Sequence, residues 1–481
     1  MNTLLIIIGA PIVAAIVATL SKKITAIEYT SVSAIILSTG ATLFLAPSVA
    51  KYGIVVFSSI FAVDALSMIG MLITSVIGLA AMIYSVGYLR DEVKKEIIGH
   101  SRVRQYFVLI NLFIAAMLLA CASSNPVIMW LAIEATTLST TFLISFYNKA
   151  TATEAAWKYL LINSLGLLLG FFGTLLYLTA TATAPETFST WQTLVANSAF
   201  LNPDVARIAF VFILIGYGTK VGLAPMHTWL PDAHSKAPVP ISALLSGVLL
   251  NIALIAVLRF RAITDATAGG DFTQNLLIAL GLFSIVIAAC IILIQKNYKR
   301  MLAYSSIENM GILALGFGFG GVATIAALLH MIYHSLAKST LFLSSGNIFL
   351  TYSSTKIAKI RGVLTSLPVT GVVFFTCILA IAGLPPFGIF FTKLYILFAG
   401  AGAHPYIVAT ALVAFAIVFI GFLRHATGML FGEPTEDIIP NIERDRLLIA
   451  APIILMTLLA TLSVYLPETL ATLLMNASKL I

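Results

Sequence analysis

Seven ionisable residues stand inside long apolar stretches of this sequence. They are Glu134 in MWLAIEATTLSTTF, Lys158 in EAAWKYLLINS, Lys220 in ILIGYGTKVGLAPMHTWL, Lys393 in GLPPFGIFFTKLYIL, and His330, His334 and Lys338 in LLHMIYHSLAKSTLF. A lysine near the centre of a bilayer costs at least ~2.5 kcal/mol, so each is a candidate for ion or proton carriage. The spacing of four from His330 through His334 to Lys338 stacks three titratable groups along one helix face. Burial favours the neutral form of an amine or a carboxyl, while pairing the two restores their charges. A carrier of this kind can therefore be loaded and emptied by moving its partner.

Each residue also has a structural reading. Lys158 lies close to a span end, where a lysine can snorkel to the headgroups. Glu134 and Lys220 could form an ion pair that only ties two spans together. A single buried histidine is often just hydrogen-bonded in a core, although three titratable groups on one face weaken that reading for His330 and His334. Glu308 in AYSSIENMG and Asp64 in FAVDALSM lie nearer span ends and read as helix contacts. Asp232 and His234 in LPDAHSKAP read as loop residues that cap and position a re-entrant turn.

The elements that must position these groups follow from composition. The chain has 481 residues, 60% hydrophobic and 10% charged, with a mean hydropathy of +1.04. Soluble chains carry roughly a quarter charged residues, so the expected class is all-α, a polytopic membrane protein in one domain over 1–481. About twenty apolar residues cross the hydrocarbon core. With that length, about fourteen spans are predicted: 3–20, 27–47, 62–89, 104–122, 126–147, 155–180, 205–230, 239–260, 274–294, 298–319, 321–350, 366–399, 405–430 and 447–466. The basic pair Lys22 and Lys23 follows the first apolar run instead of preceding it, so that run is expected to be a retained anchor and not a signal peptide.

Loops after odd-numbered spans hold 18 Lys and Arg residues, Arg444 among them. The opposite side holds five: Lys51, Arg207, Arg259, Arg261 and Lys479. The positive-inside rule then puts both termini on the non-cytoplasmic side. Because the basic residues occur as small loop groups between apolar runs, the net charge of +8 gives no support to nucleic-acid binding; the surrounding medium is the lipid bilayer. The three cysteines, Cys121, Cys290 and Cys377, are scattered singly, so they assemble no disulfide framework, zinc site or iron–sulfur ligand set. No cofactor is expected in this chain.

Prolines supply a second clue. Pro225 and Pro231 interrupt the seventh span, and Pro385 and Pro386 the twelfth; proline removes a backbone donor and breaks the helical ladder. Interrupted spans in corresponding positions, each with a lysine close by, are the pattern of ion sites in inverted repeats. The expected halves are 104–260 and 274–430, two half-channel repeats with one broken helix each.

Four stretches carry a resemblance that covers most of the chain: EAAWKYLLINSLG, GYGTKVGLAPMHTWLPDAHSKAPVPISALLSGVLLN, KRMLAYSSIENMGI and HMIYHSLAKSTLFLSSGNI. They resemble the antiporter-like proton-channel subunits of respiratory complex I, multisubunit cation/proton antiporters and energy-converting group 4 NiFe hydrogenases. Around Lys220 and Asn251 the wording is most similar to hydrogenase-4 component F. The resemblance implies proton-transfer roles for Glu134 as the fifth-span glutamate, Lys220 as its seventh-span partner, Lys338 on the HxxxHxxxK face and Lys393 as the terminal residue of the twelfth span. Complex I homologues have a lysine where this chain has Asn251, which implies a water-mediated link there and more of the transfer for His330 and His334. The sequence stops soon after the last span, so the long lateral helix of the largest complex I subunit of this type is not expected.

The resemblance further implies location in the inner cell membrane of a bacterium or archaeon. It implies partners that are other membrane subunits together with hydrogenase-type or NADH-dehydrogenase-type peripheral subunits, which would hold the NiFe centre and iron–sulfur clusters. The expected function is translocation of protons, or of sodium, coupled to electron transfer in those partners. The alternative is a subunit of complex I or of a multisubunit cation/proton antiporter, towards which Lys393 points. A stand-alone solute transporter is a third class, opposed by charges that form a line across spans instead of converging on one pocket.

Overall fold

The computed structural model describes residues 2–179, 190–434, 443 and 445–481. Ala180, the end of the sixth expected span, and Arg444 lie outside the described residues. The N-terminal helices are α1 (Asn2–Leu20), α2 (Ile24–Tyr52), α3 (Ala65–Lys94) and α4 (His100–Ala122). Between α2 and α3 a two-stranded antiparallel ribbon pairs β1 (Ile54–Val56) with β2 (Ala62–Asp64). The fold is thus mostly helical with one short ribbon, and the third span starts at Ala65 instead of 62 because Asp64 caps it, accepting a hydrogen bond from the Ser67 amide at 2.9 Å.

The next group is α5 (Pro126–Ile144), α6 (Ala150–Thr179), α7 (Trp191–Ala196), α8 (Pro203–Val221), α9 (Trp229–Lys236), α10 (Val239–Leu244) and α11 (Leu250–Ala268). Helices α5 and α8 begin with the same device, an Asn-Pro pair. Asn125 accepts from the Val127 and Ile128 amides and Asn202 from those of Asp204 and Val205, with proline in the first helical turn. The third group is α12 (Asp271–Ile294), α13 (Tyr298–Phe319), α14 (Val322–Tyr352), α15 (Val363–Ser366), α16 (Pro368–Ala382), α17 (Gly388–Ala401), α18 (Pro405–Leu430), α19 (Arg446–Val464) and α20 (Glu468–Ser478).

Ten helices among the described residues are long and apolar enough to cross a membrane. Pro203–Val221, Tyr298–Phe319 and Val322–Tyr352 are not among them; these helices carry Lys220, Glu308 and the His330–Lys338 face. Two further segments are interrupted. Helix α8 ends at Gly222, in the left-handed region at φ 83°, and the chain turns before α9. Helix α16 ends at Gly383, at φ 91°, and α17 starts five residues later. Pro225, Pro385 and Pro386 lie in the turns, but Pro231 sits in the first turn of α9, where its missing N–H leaves nothing unpaired. Asp232 and His234 are likewise helical residues of α9, not loop residues.

Segment 239–268 runs through the middle of the molecule and is buried along its crossing length. Its Leu245–Leu249 turn is π-helical. Because the helix continues to Ala268, Arg259 and Arg261 are buried side chains of α11 and not loop residues. Arg259 forms a two-pronged ion pair with Asp64 at 2.8 and 2.9 Å and also donates to Ser67 at 2.8 Å. The basic residues opposite the richer side therefore fall from five to three. The outer helices keep large apolar side chains exposed, among them Leu131, Phe142, Leu161 and Leu168, as expected of a bundle solvated by lipid.

Close helix contacts set the geometry at both lysine-bearing regions. A Cβ at Gly216 of α8 would fall 2.3 Å from the Gly170 nitrogen and 2.6 Å from the Gly166 carbonyl oxygen of α6. Between α12 and α13, a Cβ at Gly281 would fall 2.7 Å from the Gly311 oxygen. Small residues at such crossings let backbones meet, and dispersion replaces the hydrophobic effect that lipid cannot provide.

Candidate functional site

Lys220 is fully buried on α8, brought against α6 by the Gly216 contact. Its Nζ donates to the Tyr159 hydroxyl at 2.7 Å and to Thr137 Oγ1 at 2.9 Å. Thr137 Oγ1 in turn donates to Glu134 at 3.3 Å, and Ser164 donates to the other Glu134 oxygen at 2.8 Å. The expected direct Glu134–Lys220 ion pair is not formed among the described residues. Thr137, three residues beyond Glu134 on the same face of α5, stands between them. Glu134 is half-buried beside exposed Leu131 and Leu138, so its charge stays near the outer face of the bundle.

Lys158 stands apart from this group. Its side chain is 48% exposed, at 2.6 Å from Glu154 and 3.4 Å from Asp232. Asp232 also accepts from Arg300 of α13, so Lys158 belongs to a charged cluster that ties α6 and α9 to α13.

Helices α13, α14 and α17 hold a longer polar file. Lys338 Nζ donates to Ser305 Oγ at 2.7 Å and to the Leu302 carbonyl, both on α13. One turn before Lys338, the His334 ring nitrogens have no partner among the described residues. Another turn back, His330 joins Thr392 of α17 at 2.7 Å and Asn309 Oδ1 at 3.0 Å. Asn309 Nδ2 donates to Glu308 at 2.7 Å, and Glu308 accepts from Lys393 Nζ at 3.0 Å. Lys393 also donates to the Ile381 carbonyl at 3.1 Å, just before the α16–α17 interruption.

Glu308 is thus fully buried midway along α13, not near a span end. Its place opposite Lys393 was missed, although Ser305, Glu308 and Asn309 in AYSSIENMG carry the three- and four-residue spacing of a helix face. Tyr159 and Thr137 were also missed, since hydroxyls in an apolar span give little signal on their own. Asp64 does have the helix-contact place expected of it.

Asn251 lies on α11 and bonds to α14, the helix of Lys338. Its Nδ2 donates to Ser335 at 2.8 Å and to the Gly247 carbonyl at 3.1 Å, while its Oδ1 has no partner among the described residues. Gly247 belongs to the π-helical turn, a local widening that is frequent at functional sites and invisible in the hydropathy pattern.

Three buried lysines on α8, α14 and α17 are therefore each held by polar side chains from a neighbouring helix, with Asn251 bonded to Ser335 on the helix of the second. Such an arrangement can pass protons or cations through hydrogen-bonded groups within a bundle closed to lipid. Among the described residues, no three His, Cys, Asp or Glu side chains gather as a metal-ligand set.

The comparisons with known proteins agree with this architecture. Residues 123–419 match the family model described as NADH:quinone oxidoreductase/Mrp antiporter, TM, and residues 52–96 match NADH-ubiquinone oxidoreductase (complex I), chain 5 N-terminus. The chain is 39% identical over 386 residues to a hydrogenase-4 component F homolog of Methylacidiphilum infernorum, covering 79% of this chain and 81% of that relative. Solved structures share the fold. A chain of an archaeal membrane-bound sulfane sulfur reductase aligns with a TM-score of 0.88 at 23% identity, over 100% of this chain and 98% of that one. A chain of the Mrp complex from Dietzia sp. DQ12-45-1b aligns with a TM-score of 0.87 at 20% identity, over 99% and 97%. Since the first matched stretch contains Glu134, Lys220, Asn251, Lys338 and Lys393, the buried lysines sit on the shared frame, and the chain belongs to the NADH:quinone oxidoreductase/Mrp antiporter family as an antiporter-like membrane subunit.

Proposed function

We propose that this chain translocates protons, or sodium, as a membrane subunit of an energy-converting redox complex of the group 4 NiFe-hydrogenase kind. The observation that carries the reading is the file of fully or nearly fully buried lysines, Lys220, Lys338 and Lys393. Among the described residues only Lys393 of the three has a direct carboxylate partner; hydroxyls and a carbonyl hold the other two. The likeness to a hydrogenase-4 component F homolog supports the hydrogenase assignment. On this reading the chain crosses the membrane fourteen times, with both termini on the non-cytoplasmic side. The stretches 104–260 and 274–430 are its two half-channels, inverted with respect to each other, and each contains one interruption.

In the resting arrangement Thr137 links Lys220 to Glu134. A change at the exposed α5–α6 face, where a neighbouring membrane subunit docks, moves Glu134 and shifts the balance at Lys220. The proton then passes through hydrated groups at Asn251 towards His330, His334 and Lys338, and leaves by Glu308 and Lys393. Lys158 contributes at the rim through Asp232. The redox chemistry, with a NiFe centre and iron–sulfur clusters, resides in peripheral partner subunits.

A second reading, a subunit of a cation/proton antiporter or of complex I, is favoured by Lys393 and by the fold shared with the Mrp chain. Purification of the intact complex from native membranes, with subunit identification and nickel and iron analysis, separates the two. Hydrogenase subunits with nickel are expected; only further antiporter subunits, without nickel, would move the assignment to the second reading. Ion transport itself is tested by Lys220→Ala in the reconstituted complex, which should assemble, because Tyr159 remains bonded to Thr140 at 2.6 Å, yet fail to translocate.

A further inference from the structure

Three connected cavities at the basic ends of α1 to α5 take no part in the scheme above. The first, about 490 Å³, lies among α1, α4 and the end of α5. Arg102, Arg104 and Gln105 line it from the first two turns of α4, while Val108 and Leu109, one turn further along, and Phe142 of α5 supply its apolar wall. The second, also about 490 Å³, lies where α2 starts and α3 ends, and there Lys22, Lys23 and Arg90 meet Ile24, Leu89 and Val103. A smaller cavity of about 170 Å³ joins them, sharing Arg104 with the first and Lys22, Ile24 and His100 with the second.

The charges along this seam are unbalanced. Five Lys and Arg side chains line the three cavities against one carboxylate, Glu28, and Arg90 already neutralises Glu28 at 2.6 and 3.1 Å. Neighbouring acids are engaged as well, Asp91 with Lys95 at 2.7 Å and Glu92 with the Tyr147 hydroxyl at 2.6 Å. Lys22, Lys23 and Arg104 have no side-chain partner among the described residues, and Arg102 reaches only Gln105, at 3.1 Å. The apolar walls run into the lipid-facing surface, since Ile16 and Leu20 of α1 and Phe142 are exposed. These cations all belong to the side richer in Lys and Arg, and basic pockets between spans on such a side attract anionic headgroups.

We propose that this seam binds one anionic glycerophospholipid of the phosphatidylglycerol class, seated astride the contact of α1 with α4. Its phosphodiester occupies the small joining cavity, between Lys22 and Arg104 and within reach of the Ser101 hydroxyl. One acyl chain follows the first groove over Val108 and Phe142, and the other follows the second over Leu89 and Val103. Arg102 and Lys23 stand on either side and select for net negative charge over a zwitterionic headgroup. A free phosphate or an acidic peptide would meet the cations but leave both apolar walls uncovered. Bound in this way, the lipid ties the α1–α2 turn to the starts and ends of α3, α4 and α5.

The inference is independent of which ion the chain carries. Its test uses the intact complex in phosphatidylcholine nanodiscs containing phosphatidylglycerol with photoreactive acyl chains, with labelled peptides mapped by mass spectrometry. Label is expected on both walls, displaced by unlabelled phosphatidylglycerol but not by phosphatidylcholine or inorganic phosphate. Arg104→Gln and Lys22→Gln should each weaken binding about fivefold, the scale of one basic group at a membrane surface, whereas Lys51→Gln, on the opposite side, should leave it unchanged. Assembly is checked on native gels; if Arg104→Gln does not assemble, the exposed Lys22→Gln decides. Label confined to one groove, displacement by phosphate alone, or unchanged binding in the assembled variants would overturn the proposal. Stronger displacement by diphosphatidylglycerol would assign two phosphates to the seam and overturn the single-phosphate geometry.

Discussion

Glu308→Gln is the sharpest probe of the Glu308–Lys393 pair. Glutamine keeps the shape of the side chain and can still accept from Asn309, but it removes the charge 3.0 Å from Lys393 Nζ. At an effective dielectric constant of about 20, two unit charges at that distance attract by roughly 5.5 kcal/mol. Removing one partner of such a buried pair costs about 3–5 kcal/mol after relaxation. The Ile381 carbonyl, 3.1 Å from Lys393, is retained but offers only a dipole. A membrane potential supplies ~2.3 kcal/mol per charge per 100 mV, leaving a deficit of about 1–3 kcal/mol, and each 1.4 kcal/mol is tenfold. Translocation through this exit should therefore fall by a factor of about 5 to 10². The assay is dye-reported acidification of liposomes containing the complex, normalised to redox turnover. Glu308→Asp, which keeps the charge but shortens the reach, should fall between wild type and Glu308→Gln. Wild-type translocation by an assembled Glu308→Gln complex would refute the reasoning.

Three further outcomes follow from the geometry. Gly216→Leu should force α6 and α8 apart, because even its Cβ would meet the Gly170 nitrogen at 2.3 Å; assembled complex and the Lys220–Tyr159 contact should both be lost, while Gly428→Ala, with nothing within 4 Å, should be silent on native gels. Arg259→Leu should leave Asp64 buried without its cation and destabilise the fold by about 3–5 kcal/mol, read as a lower thermal midpoint in detergent, with transport per assembled complex unchanged. High-resolution density should show ordered water at Asn251 Oδ1, which has no partner among the described residues and needs one when buried; a dry, close-packed layer between Lys220 and the His330–Lys338 face would exclude proton transfer between the halves by that route.

Much of the candidate site is legible in the order of the residues alone. An ionisable residue in a twenty-residue apolar run is conspicuous because lipid penalises charge wherever the helix packs, so Lys220, Lys338 and Lys393 stand out from hydropathy. The same holds for the interruptions. Gly222 and Gly383 end their helices in the left-handed region, and the prolines in the turns remove donors; both effects are local and written in consecutive residues. The i, i+4 face of His330, His334 and Lys338 needs only the helical repeat.

Partnership was not legible in this way. The family resemblance implied that Glu134 pairs with Lys220, and the place of Glu308 in its apolar run made it peripheral, whereas Thr137 separates the first two and Glu308 holds Lys393. Arg259 and Arg261 looked like loop charges because the apolar run thins near residue 260, yet α11 continues past them and Asp64, far away in the chain, neutralises Arg259. His234 looked like a loop cap and proves to be a bare imidazole between two aromatic rings. In each case the deciding quantity is the rotation and spacing of two helices about each other. That is set where backbones touch, as at Gly216 against Gly166 and Gly170, and a contact between residues tens of positions apart leaves no periodic trace in either segment. The sequence by itself determined which groups are costly to bury and where the helices yield; the tertiary packing decided which of those groups meet.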